Sequence, residues 1–188
     1  MTTSPTPTLR AGQSNLPPEQ ARDHTLIIFL EERPGSVDRL VGLFRRRRGN
    51  LRTFVLGRTE VPSIVRITAV VNDSEVGADQ LVEQLRKIVD VRRVENPTPE
   101  QTISRELTLV RVNSTPASFH SILDIGQMFG AHAIDITKEA VTLEVTGTRE
   151  KIDTLIERLQ PYGIREVARS GCVAMTRDTE DPEHSDSK

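Results

Sequence analysis

The chain belongs to the α+β class: two tandem ferredoxin-like βαββαβ domains, each a four-stranded antiparallel sheet with two helices on one face. Three observations predict this. The order strand, helix, strand, strand, helix, strand is written once over residues 24–97 and again over 105–177. Hydrophobic periods switch between 2 and 3.6 in that same order in both stretches. A split βαβ order of this kind closes only as one antiparallel sheet with its helices on a common side.

The first unit opens with a β-branched, apolar run, Thr25–Glu31, broken by Arg33, Pro34 and Gly35. Ser36 is the expected N-cap of a helix whose face is Val37, Leu40, Val41 and Phe44, with Gly49 ending it and Arg45–Arg48 in its last turn. Leu51–Arg58 and Ile64–Val71 alternate as a hairpin joined around Pro62, with Val65, Ile67, Ala69 and Val71 facing inward. Ala78, Leu81, Val82, Leu85 and Ile88 mark the second helix, and Val89–Glu95 the closing strand.

The second unit starts its strand at Leu107 and ends it at Val112. A helix follows, capped by Thr115 with Pro116 at its first position and Phe119, Ile122, Leu123 and Phe129 inside. Ala131–Ile136 and Ala140–Thr146 form the hairpin. Ile152, Leu155, Ile156 and Leu159 form the last helical stripe, and Ile164–Arg169 closes the sheet. Residues 98–104 read as a linker, residues 1–23 as a disordered polar tail and residues 178–188 as a disordered acidic one. Each sheet has one face without helices. That face is expected to be covered by a second copy, edge to edge or face to face, or by the two units packing on each other.

Composition excludes several functions. With 25 Lys and Arg against 27 Asp and Glu, the net charge of −2 is wrong for a general nucleic-acid binder. No aromatic ring stands on Ile64–Val71 to stack bases, which weakens an RNA-binding reading further. Cys172 is the single cysteine, so no disulfide framework or zinc knuckle is expected, and a reducing cytoplasm is the simplest location. No apolar run reaches membrane-spanning length, so no membrane partner is expected. His24, His120, His132 and His184 lack metal-ligand spacing. Neither a Walker loop nor a dinucleotide fingerprint is present, and no catalytic residues are assigned. The run Arg45–Arg48 is either an anionic-partner site or a helix end whose dipole favours cations.

One loop carries ligand chemistry. Glu31–Ser36 turns through a glycine into a helix N-terminus, whose free N–H groups suit a carboxylate, while a glutamate beside it accepts an ammonium. Together these describe a free amino acid, with Asn50 at the start of the next strand expected close enough to add an amide. An ordinary tight turn is the plain alternative.

The stretch Phe29–Phe44 (FLEERPGSVDRLVGLF) resembles the opening of the ACT domain in acetolactate synthase small (regulatory) subunits. Val89, Asp90, Val91 and Val94 look like that family's last first-domain strand. Arg105–Leu107 with Leu109 and Val110, Ile134–Thr137, and Glu166–Gly171 look like its second domain. The resemblance implies a non-catalytic subunit that binds and activates a thiamine-diphosphate-dependent large subunit, with feedback by valine or a related branched-chain amino acid. Thiamine diphosphate, Mg and FAD would belong to that partner and none to this chain. It also implies a homodimer through ACT domains with effector sites between them, involving Glu32, Gly35, Ser36 and Asn50. Glu32 departs from the asparagine usual there. The alternative is a stand-alone amino-acid-sensing ACT protein acting on a different enzyme or regulator. The second unit has no glycine in its corresponding loop, Asn113–Pro116, which suits assembly better than sensing.

Overall fold

The computed structural model describes residues 21–46 and 50–178. The first unit runs β1 (Arg22–Glu31), α1 (Ser36–Arg46), β2 (Asn50–Arg58), β3 (Ile64–Asp73), α2 (Glu75–Leu85) and β4 (Val91–Glu95). The second runs β5 (Thr102–Asn113), α3 (Phe119–Met128), β6 (His132–Ile136), β7 (Ala140–Gly147), α4 (Arg149–Leu159), β8 (Ile164–Arg169) and β9 (Val173–Thr176). The first sheet has the order β2-β3-β1-β4 and the second the matching order β6-β7-β5-β8, all antiparallel. The duplicated α+β architecture read from the pattern is thus present in both halves.

Strand register decides which side chains meet the helices. Leu26, Ile28 and Leu30 stand opposite Ala69, Ile67 and Val65. Because side chains alternate along a strand, this set shares one face, and it packs against Leu40, Leu43 and Phe44 of α1 and Leu81, Val82 and Leu85 of α2. Phe44 and Phe54 meet edge to face at 6.1 Å. In α1 the expected Leu40 and Phe44 are buried and Val37 packs against the core, but Leu43 takes the inside position expected of Val41, which is 42% exposed. The second core joins Val110, Val112, Val141, Leu143 and Val145 to Ile122, Ile152, Leu155 and Leu159.

Caps explain where the helices begin. Ser74 accepts the Gly77 N–H at 3.1 Å, and Thr148 accepts the Lys151 N–H at 3.4 Å. At α3 the Thr115 and Ser118 hydroxyls each accept the other's backbone N–H, at 3.2 and 2.9 Å. This reciprocal pair closes a turn holding Pro116, so the helix proper begins at Phe119 rather than at the proline.

Three expectations at the unit boundaries are corrected. Arg22 and Asp23, read as the end of a tail, pair with Asp73 and Asn72 as the first residues of β1. Residues 102–104, read as the end of a linker, open β5, because β9 supplies them with a partner: Thr102–Arg105 pair with Thr176–Val173. β9 itself was not anticipated. The expected tails otherwise lie mostly outside the described residues, at 1–20 and 179–188.

The ribbon of β9 and the start of β5 lies across the helix-free face of the first sheet. Arg66 donates to the Ala174 carbonyl, and Ala174 is fully buried. Ile27, Thr68 and Val70 on that face are buried as well. The first sheet's bare face is therefore covered within the chain, by the second unit. In the second sheet Leu107 and Ile134 remain exposed.

Candidate functional site

The loop Glu31–Ser36 leaves the end of β1 and enters α1. Its shape is set by backbone bonds: Arg33 N–H to Glu31 O at 3.0 Å, Ser36 N–H to Arg33 O at 3.0 Å, and Arg39 N–H to Gly35 O at 3.1 Å. Glu32 N–H reaches across to Ser63 O at 2.7 Å, which ties the loop to the β2–β3 turn. Gly35 has φ +79°, a left-handed conformation that costs a side-chain-bearing residue about 1–2 kcal/mol. A Cβ there would also stand 3.2 Å from the Arg39 guanidinium.

The amides of Gly35, Val37 and Asp38 have no hydrogen-bond partner among the described residues. These are the orphan donors of a helix start, and they favour an anionic group. Glu32 to Gly35 are exposed. Ser36 is buried, with its N–H on Arg33 O and its hydroxyl accepting the Arg33 N–H at 3.4 Å, so both its polar groups serve the turn.

Charge around the loop is divided between two glutamates. Glu31 accepts from Arg92 at 2.7 Å and from Arg33 at 3.1 Å. The Arg92 hydrogen bond, with help from Arg33, holds its carboxyl below the ordinary range. Arg33 therefore pairs with Glu31, not with Glu32. The Glu32 carboxylate has no partner among the described residues.

A second set of residues, not singled out for this role from the sequence, fixes the loop from beneath. Asp90, 1% exposed, accepts from Arg39 Nε at 2.8 Å and Nη2 at 2.6 Å, and its backbone carbonyl accepts the Glu31 N–H at 2.8 Å. One residue thus joins three elements: its carboxylate holds the first turn of α1 and its backbone carbonyl holds the end of β1, at the start of β4. A lone acid between Val89 and Val91 was the only sequence signal for it.

Asn50 is not brought to this loop within one chain. It pairs with Asn72, which pairs with Asp23 near the start of β1. Glu31 stands eight residues further along β1, about 26 Å away at ~3.3 Å per residue. The expectation of proximity fails because β1 and β2 run the same way, so the residue that begins β2 and the residue that ends β1 lie at opposite ends of the sheet. Of the basic run, Arg45 and Arg46 are exposed at the end of α1; 47–49 lie outside the described residues.

Among the described residues no group of three or more His, Cys, Asp or Glu is placed to hold a metal ion. No described helix is long and apolar enough to cross a membrane.

Two βαββαβ units in tandem, the first with a glycine turn feeding a helix N-terminus, define a two-domain protein of the ACT type. The model for the small subunit-like ACT domain of acetohydroxyacid synthase matches residues 26–93, and that for the small subunit of acetolactate synthase matches 105–178. A putative acetolactate synthase small subunit of Mycobacterium tuberculosis is 35% identical over 156 residues, covering 83% of this chain and 93% of the relative. The acetolactate synthase small subunit of Mycolicibacterium smegmatis is 36% identical over 154 residues, covering 82% and 91%. The crystal structure of the Thermotoga maritima acetolactate synthase small subunit superposes with a TM-score of 0.77 at 29% identity, covering 84% of this chain and 99% of that one. The chain belongs to the acetolactate synthase small-subunit family.

Proposed function

We propose that this chain is the non-catalytic regulatory subunit of an acetolactate synthase. It binds the thiamine-diphosphate-dependent large subunit in the cytoplasm, raises its activity, and carries feedback by a branched-chain amino acid of the valine type. The observation that supports this most is the run of family matches through both units, together with relatives of nearly equal length. Thiamine diphosphate, Mg and FAD reside on the large subunit in this reading.

The effector site takes its parts from two copies. In each, the Gly35 amide and the start of α1 receive the carboxylate, and Glu32 receives the ammonium; Ser36 shapes the turn. β2 is an edge strand of its sheet. Antiparallel pairing of two β2 edges about a two-fold axis reverses one strand against the other and carries the partner's Asn50 toward the loop end of the sheet. Exposed Leu51 and Leu56 on β2 and Val41 on α1 are available to be covered by such a dimer.

The test is to mix the purified chain with its large subunit, follow pyruvate condensation and titrate valine, leucine and isoleucine. Activation with complex formation supports the reading. A complex with another enzyme or regulator, and none with the large subunit, would favour the stand-alone sensor instead.

A further inference from the structure

The two units enclose a cleft of about 840 Å³, within the size range of small-molecule sites. β2 and the start of β1 form its first-unit side; the start of β5, residues 169–172 between β8 and β9, and the start of α4 form the other. Three ion pairs line it: Arg22 with Glu75, Arg149 with Asp23 at 2.7 Å, and Arg169 with Glu106.

Pairing those groups leaves an imbalance. Arg52, Arg105 and Arg177 also line the cleft and have no carboxylate partner among the described residues. Among the described residues Glu150 is the one lining acid left without a cation. Arg52 comes from the first unit, whereas Arg105 and Arg177 come from the second. Beneath the wall the Thr53 hydroxyl oxygen is buried without a hydrogen-bond partner among the described residues. A partly enclosed site with surplus positive charge concentrates anions, and guanidinium groups suit phosphate and carboxylate oxygens.

We propose that this cleft binds a small anion bearing two or more negative charges, a phosphate ester or polycarboxylate, which ties Arg52 to Arg105 and Arg177 across the two units. The site is separate from the Glu31–Ser36 loop and does not depend on the large subunit. Val55 and Val70 give the same cleft an apolar floor for the carbon part of such a ligand.

Cys172 lines the cleft and is the single cysteine, so its alkylation reports occupancy there and nowhere else. The full chain is titrated with pyrophosphate and with citrate by calorimetry at constant ionic strength, and iodoacetamide labelling is followed in parallel. One-to-one binding is expected, with labelling slowed at least about threefold and affinity reduced at least about tenfold in Arg52→Ala/Arg177→Ala. Arg86→Ala, on the exposed face of α2, serves as the charge control and is expected to bind within about twofold of the native chain. Binding of pyrophosphate alone assigns a phosphate ester, and of citrate alone a polycarboxylate. Neither heat nor protection with either probe at about 10 mM overturns the proposal, as does unchanged affinity in the double variant.

Discussion

Removing the half-exposed Arg39 should harm the protein more than altering its buried partner Asp90. Arg39 is 48% exposed at its side chain, whereas Asp90 is 2% exposed and receives two N–H contacts from that one guanidinium. Arg39→Met leaves a carboxylate in the interior with no cation, a change that typically costs about 3–5 kcal/mol. Asp90→Asn keeps an oxygen acceptor and frees the arginine to meet water, so its cost is that of weakening one charge-assisted contact, about 1–2 kcal/mol. The double variant should be no worse than Arg39→Met alone, which corresponds to a coupling of roughly 1–3 kcal/mol. Urea unfolding followed by far-UV circular dichroism reads all four proteins. With a slope of about 1–1.5 kcal/mol/M, Arg39→Met lowers the urea midpoint by about 2–5 M. Equal costs for the two single variants, or strict additivity in the double, would refute the assignment of Asp90 as a buried charge held by Arg39.

Other consequences can be read more directly. Gly35→Ala should destabilise the first unit by about 1–2 kcal/mol through its positive φ, and should weaken amino-acid binding in calorimetry by moving the loop amides. Gly171→Ala should cost more, about 2–4 kcal/mol, because φ is +80° and the new Cβ would lie 2.7 Å from Val55 where the second unit meets the first sheet. Its melting curve should separate into two transitions; unchanged cooperativity would contradict that contact. Burial, with Glu106 nearby, pushes the Cys172 thiol above its ordinary value, so alkylation should rise with pH to a midpoint above that of a free thiol. A profile centred at or below about 8.5 would be inconsistent with a half-buried thiol.

Much of this fold is written in local periods. The alternation of Val65, Ile67, Ala69 and Val71 and the helical spacing of Leu81, Val82 and Leu85 each specify a buried face, and a repeated order of such elements leaves one sheet topology. What escaped was non-local. Val173–Thr176 is too short to read as a strand; it becomes one because Thr102–Arg105 lies beside it. The same pairing lays the ribbon on the first sheet and removes one reason to expect a face-to-face dimer. At the candidate site, the Pro34–Gly35 turn was legible because turn chemistry is local, whereas the choice of Glu31 over Glu32 as the partner of Arg33 was not. Asp90 beneath Arg39 was not, since 51 residues separate the pair. Asn50 was placed wrongly for a topological reason: the residue opening β2 lies at the far end of the sheet from the residue closing β1.

The claim on which the functional account rests is that the chain acts through a catalytic partner. The most direct measurement is the rate of pyruvate condensation by the purified large subunit as this chain is added. The account predicts a rate that rises and saturates near a stoichiometric ratio, with complex formation seen in parallel by light scattering. A rate that stays flat at all ratios, with no complex, would contradict it.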